Sequence, residues 1–510
     1  MLGFPRTRVF LLVGGLLVAG CECSEGGESD ESELVVVLPR DAEELDPRFL
    51  GDPYGLRVSR LLFASLVTID PRTLDIVPDL AETVAHATPT TVMVRLRPDL
   101  AWSDGRPITA DDVVATFRGV TDPALGSRFA GTFRRIVHVE AEDPRTVRFE
   151  LDGPHATFVT DLEMPILPAR YATTRVRPGP ERVPFSGPYR LVGRSSGQLQ
   201  LEANPNWHHG TPRYPKVRMV VIRDDNTRAL RLLGGQGDLA LHSIPPLLVP
   251  LFEEDERFEV RSVPGVSTAY IGIHTEAGPL RDGRVRRAIA HAIDRTRLLD
   301  AKLNGRGTLA SGWIPPGHWA FDAQPEIRFD PERARAHLDE AGVVDPSGPE
   351  PRLRLSFRTS TDRFRLSVAR AIAAMLADVG IEADVRPSES ATLIADLNAG
   401  RFELCLLQVP EVFEPHVLSW FFDSNRIPKE GRPGANRWRY QNSELDRALE
   451  AGRASSVREV RVEAYHEVQR LMARDLPVVP LWHEDVVAVV SARGADFDVP
   501  RDGRFGTLAR

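Results

Sequence analysis

Only three cysteines occur in 510 residues, at 21, 23 and 405. That excludes a disulfide framework, even in an oxidising compartment. Cys405 lies in the apolar run FELCLL and reads as a small buried hydrophobe rather than a nucleophile. Basic charge is also in short supply. The formal net charge is -8, and the arginines are dispersed, so nucleic acid is excluded as the main partner. Metalloprotease chemistry lacks its pattern: His466-Glu467 and His483-Glu484 have no second histidine at the spacing of H-E-x-x-H. No fixed-period repeat is present. What remains is the composition of a soluble globular protein, 42% hydrophobic and 27% charged, with 7 Trp. Its length exceeds what one core usually serves, which predicts two or more compact lobes.

The N-terminal apolar run, Val9 to Gly20 after Arg6 and Arg8, is too short for a bilayer span of about 20 residues. It reads as a secretory signal. The ending Leu17-Val18-Ala19-Gly20-Cys21 resembles a bacterial lipobox. Small residues at Ala19 and Gly20 admit a signal peptidase, and the Cys21 thiol would carry a diacylglycerol. That places the chain outside the cytoplasm, lipid-anchored at a periplasmic or cell-surface membrane face. The alternative is an ordinary cleaved signal with an incidental cysteine. Residues 21–33 are acidic and nearly free of apolar side chains, the composition of a disordered tether.

From Leu34 onward, strands and helices alternate. ELVVVLP (Glu33 to Pro39) has the continuous apolar character of a buried parallel strand. LRLSF (Leu353 to Phe357), helical spacing from Phe364 to Val379, Gly380 and IEADV (Ile381 to Val385) form a βαβ unit. Such units build doubly wound sheets whose ligands sit beyond the strand C-termini. One long helix is expected from Arg284 to Asn304, capped by Gly305.

Two catalytic or metal readings are weak. GRSSG (Gly193 to Gly197) fits G-x-S-x-G, but Ser195 stands between two alternating runs, so a hairpin turn is expected in place of a nucleophile elbow. His208 and His209 are neighbours, and on an extended chain they would point to opposite faces, which argues against joint chelation. Neither a cofactor nor a metal is expected. Trp313, Trp319, Trp420 and Trp438 fall in loops where a rigid ring could line a cleft, with lobe packing as the alternative. Arg437 and Arg439 could pair bidentately with a ligand carboxylate.

Several segments in order resemble the extracellular solute-binding protein family 5, the dipeptide- and oligopeptide-binding proteins. They are WSDGRPITADDVVATF (Trp102 to Phe117), SGPYRLV (Ser186 to Val192), LEANPNWHHG (Leu201 to Gly210), GGQGDLAL (Gly234 to Leu241), YIGIHT (Tyr270 to Thr275), RDGRVRRAIAHAIDRTRLL (Arg281 to Leu299), IPPG (Ile314 to Gly317) and YHEVQRLMARDLPVVPLWH (Tyr465 to His483). The resemblance implies an α/β type II periplasmic binding fold. Two doubly wound lobes would be hinged by strands crossing near Pro264 and Pro480, with an extra domain inserted in the first lobe. The first lobe would comprise 34–63, 178–264 and 480–510, the inserted domain 64–177, and the second lobe 265–479. The implied function is non-covalent capture of a short peptide by a monomer serving an ABC permease. Relatives that take oligosaccharides, opines or metal complexes leave the solute open, as does an orphan sensor without an importer; a serine hydrolase is the least favoured reading. By position, Glu411 in PEVFEPH would meet the ligand's ammonium group, with Glu in place of the family's usual Asp. Tyr270, and His274 in place of the usual Asn, would begin the second lobe near the hinge. Asp46 in LDPRF would lie near the cleft or serve as a local cap.

Overall fold

The computed structural model describes residues 32–510 except 178, 180, 181, 347, 410 and 433. The signal, Cys21 and nearly all of the tether lie outside the described residues.

Eleven strands form one sheet. In chain order they are β1 (Glu33–Leu38), β2 (Tyr189–Ser195), β3 (Gln198–Ala203), β4 (Lys216–Val221), β5 (Leu239–Leu241), β6 (Phe258–Ile273), β7 (Gly307–Leu309), β8 (Leu353–Ser360), β9 (Ile381–Ser388), β10 (Leu404–Val409) and β11 (Val478–Ser491). Across the sheet the order is β9-β8-β10-β6-β11-β5-β1-β4-β3-β2, with β7 on β11. β1 pairs in parallel with β4 and β5 and is buried from Leu34 to Leu38, as its unbroken apolar run requires. β8 and β9 pair in parallel from Leu353↔Ile381 to Ser360↔Ser388. The helix between them, Arg363–Ala377, buries Val368, Ile372 and Leu376, and Gly380 at φ 86° turns the chain into β9. The βαβ reading therefore holds.

The long helix does not. The segment splits into Gly283–His291 and Arg295–Leu303 because Asp294 caps a new start, accepting the Arg297 N–H at 2.9 Å. Asn304, at φ 53°, closes the second helix ahead of Gly305.

β6 and β11 run antiparallel from Phe258↔Ser491 to Gly272↔Val478. Near one end Phe258, Val487 and Val489 pack in the first-lobe core; near the other, Ile271, Ile273, Leu481 and Trp482 pack in the second. The sheet is continuous while the cores are separate, so these two strands are where the lobes join. The register breaks between Val263 and Ser267, opposite Glu484 to Val486, whereas Pro480 pairs with Tyr270 inside the second lobe. At the break, Gly265 abuts the Glu484 carbonyl so closely that a Cβ would collide with it. Gly265→Ala should therefore force the strands apart and cost about 2 kcal/mol or more. Chemical denaturation checks this, and an unchanged midpoint would show that the crossing yields freely.

A smaller unit packs on the first lobe. Its antiparallel sheet has the order 81–88, 91–96, 146–151, 136–143 and covers the helix Ala110–Thr121. Phe117 meets Phe133 and Phe149 edge-on at 5.1 and 5.0 Å. The WSDG segment turns at Gly105, φ 82°. Asp112 is buried at the helix start, where it accepts N–H groups from Thr109 (3.1 Å) and Ala169 (2.8 Å).

Candidate ligand-binding site

β10 ends at Val409, and Glu411 follows in the loop beyond its C-terminus, where open α/β sheets present ligand contacts. The Glu411 carboxylate accepts from Arg504 Nη2 at 3.2 Å, which brings a second-lobe acid onto the C-terminal tail of the first lobe. Arg504 also pairs with Glu163 of the inserted unit, and Glu163 accepts from Arg60 Nη2 at 2.8 Å. Asp502 lies 3.7 Å from Arg504 Nε, and the Arg504 guanidinium stacks 4.4 Å over the Phe413 ring. Three parts of the fold thus meet on one buried charge cluster.

The electrostatics follow from that crowding. Burial opposes ionisation of Glu411, yet the Arg504 and Arg60 charges outweigh it and hold its carboxyl below the usual range. Asp502 goes the other way. Burial raises it, and Arg504 does not offset the penalty while Glu411 adds like charge nearby. Several donors stay unused: Arg57 Nε, Arg60 Nε and Nη1, and Arg504 Nε are buried without hydrogen-bond partners among the described residues. Buried N–H groups seek acceptors, and these guanidinium groups line a cavity of about 90 Å³ shared with Phe63, Glu163 and Asp502. A carboxylate or peptide carbonyl would satisfy them.

A larger groove of about 750 Å³ separates residues 128–161 of the inserted unit from residues 414–453 of the second lobe. Trp420 lines it with 41% of its surface exposed, and Arg426 stacks 5.0 Å from the ring. Glu414 spans the groove's base, accepting from Thr160 Oγ1 at 3.1 Å and pairing with Arg461; burial nonetheless raises its carboxyl. Another cavity, about 810 Å³, is bounded by residues 287–333 and 469–480, within the second lobe.

The structure does not gather the remaining expected residues around Glu411. Trp438 is 0% exposed, donates from Nε1 to the Phe421 carbonyl at 2.7 Å, and packs against Tyr270, itself buried, at 5.5 Å. Both rings therefore serve second-lobe packing, with the buried Trp313 in the same cluster. Arg437 donates to Asn398 Oδ1 at 2.9 Å. Arg439 adopts φ 54° with its guanidinium beside Gly400. His274 is buried against Phe402, its Nδ1 accepting the Glu276 N–H at 3.3 Å. Arg458 and Arg461 cover the Trp319 ring at 5.2 and 5.1 Å. Asp46 is 0% exposed, ion-paired to an equally buried Arg48 at 2.9 Å, and accepts the Val176 N–H at 2.9 Å, so it acts as a local strut. Cys405 is buried, and burial pushes its thiol up to about 12.

Ser195 ends β2 paired with Gln198, and Gly197 at φ 73° makes the hairpin turn, so GRSSG forms no strand-to-helix elbow. The expectation for His208 and His209 requires correction. They occupy a turn, where fully buried Asn204 accepts the Asn206 N–H at 3.1 Å and donates to the Gly187 carbonyl at 2.9 Å. Both imidazoles consequently point the same way, each with Nε2 at 3.0 Å from Asp79 Oδ1. Sequence reasoning missed this triad, together with Arg57, Arg60, Glu163, Asp502 and Arg504. Among the described residues, no helix is long and apolar enough to cross a membrane.

Two α/β lobes joined by a pair of crossing strands, with a unit inserted in the first, constitute a type II periplasmic binding protein. The fold is that of the oligopeptide-binding protein AppA from Bacillus subtilis, solved with a nonapeptide (TM-score 0.76, 21% identity, 93% of this chain and 98% of that one). It is equally that of NikA from Brucella suis, solved with Fe(III)-EDTA (TM-score 0.82, 21% identity, 93% and 99%). Over residues 75–427 the sequence matches the bacterial extracellular solute-binding proteins, family 5, middle region. The chain belongs to that family. It is 28% identical over 500 residues to di/tripeptide-binding protein 2 of Pseudomonas aeruginosa, covering 92% of each chain.

Proposed function

We propose that this protein captures a short peptide between its lobes and passes it unaltered to an ABC permease, tethered to a membrane through lipid on Cys21. The observation that carries the reading is Glu411. It sits at a strand end of one lobe and accepts from Arg504 of the other, so an anion for an ammonium group stands next to the guanidinium groups whose spare donors suit a carboxylate. Peptide termini carry that pair of charges. Closure over the ligand would expel water and strengthen both contacts. The 28% identity to a di/tripeptide-binding protein supports the same solute class.

A panel of di- and tripeptides tests it by thermal unfolding. A ligand that binds only the folded state raises the transition by mass action, and a shift of several degrees is expected for at least one peptide. Glu411→Gln should erase that shift for peptides with a free amino terminus and spare N-acetylated peptides that bind. If no peptide in the panel moves the transition, peptide capture is rejected. If Glu411→Gln leaves a shift intact, the ammonium contact lies elsewhere.

A further inference from the structure

The geometry points to a divalent transition-metal site built by Asp79, His208 and His209, clamping the inserted unit to the first lobe. The His208 and His209 Nε2 atoms each lie 3.0 Å from the same Asp79 oxygen. All three ligating atoms fall within 4.8 Å of one another, and the two rings sit with centroids 4.0 Å apart. Each Asp–His pair, at 3.0 Å, subtends about 90° at an ion held by bonds of about 2.1 Å, a cis angle. Two imidazoles and one carboxylate, with the other positions open, suit first-row ions of the nickel, cobalt and zinc group far better than calcium or magnesium.

The surroundings support a built site. Asp79 is fixed on the inserted unit, where its own N–H donates to the Leu66 carbonyl at 3.0 Å and its carbonyl accepts from Arg97 Nε at 2.6 Å. The histidine turn is fixed on the first lobe by Asn204, and the Trp207 ring backs His209 at 5.1 Å. Asp79 and His209 open onto the 90 Å³ cavity, which gives an ion an approach and leaves its remaining positions accessible. The site shares this cavity with the guanidinium groups offered to a peptide carboxylate, but its three ligands do not include Glu411 and it stands or falls without that reading.

The test is calorimetric titration of Ni²⁺ or Zn²⁺, as the metal alone, into EDTA-stripped protein, with thermal unfolding in parallel. One ion should bind per chain with micromolar or tighter affinity and raise the unfolding temperature. His208→Ala should weaken binding by about tenfold or more, since even outer-shell changes act on that scale. His209→Gln separates a metal site from a hydrogen-bonded cluster: its amide still donates to Asp79, so the metal-free melting temperature should hold while the binding heat disappears. If the unsubstituted protein takes up neither ion, or if both variants bind as it does, the site is refuted.

Discussion

Replacing Arg504 with methionine is expected to lower the unfolding free energy by about 3–5 kcal/mol, the usual loss when one partner of a buried ion cluster is removed. Its side chain is 7% exposed and bridges Glu163 and Glu411, with Asp502 close by. Without it, Glu163 keeps Arg60, but half-buried Glu411 and buried Asp502 lose their nearest cation. Lysine should restore little, because a single ammonium cannot hold the two glutamates that the planar guanidinium bridges. Urea denaturation measures the effect, and pairing Arg504→Met with Glu411→Gln should recover part of it by removing one stranded charge. A loss below about 1 kcal/mol would be that of an exposed ion pair and would contradict a buried cluster at the lobe junction.

Acid should weaken the fold steeply through three histidines, His318 and His483 buried and His416 half-buried. Burial pushes His318 and His483 down to about 4 and His416 to about 3. His318 shows why. Its Nε2 donates to the Phe413 carbonyl at 2.8 Å while Nδ1 accepts the Ala320 N–H at 3.1 Å, so a second proton would break the latter bond. In His483, Nδ1 bonds to Thr268 Oγ1 at 2.9 Å and Nε2 is buried without a partner among the described residues. Above about pH 6.5 these groups are neutral in both folded and unfolded chains, and their contribution is fully present. Below that value the unfolded chain takes up protons that the folded one refuses. Each histidine then removes about 1.4 kcal/mol per pH unit, or about 4 kcal/mol per unit together. The raised carboxyls of Asp502 and Glu414 act in the opposite direction, so across the window from about pH 6.5 to about 5 the histidine share is read by substitution. Unfolding free energies across that window should fall, and His318→Gln or His483→Gln should each flatten the slope by one proton. A level profile would mean that these imidazoles are solvated.

The architecture was legible because its signals are local. The apolar run of β1, the alternation in β8 and β9, and the helical spacing between them lie within a few tens of residues, and the structure follows them. Asp294 was equally local but stood inside an apolar stripe that continued past it, so the stripe masked a helix start. The charge cluster had no such signal: Arg504 lies 341 residues from Glu163 and 93 from Glu411. Ring exposure was equally hidden. Trp420 and Trp438 look alike in sequence, yet one lines a groove and the other fills a core. The histidine pair was misjudged for a single reason, an assumed extended backbone where Asn204 imposes a turn.

The Asp46–Arg48 strut carries a mechanical consequence. Arg48 donates to the carbonyls of Ala172 at 2.8 Å and Thr174 at 2.7 Å, while Asp46 holds the Val176 amide, so a short stretch near the start of the first lobe is riveted to the end of the inserted unit. Any displacement of one piece is thereby passed to the other at this point. Dissolved salt has no access to that rivet, because screening acts on charges that solvent can reach.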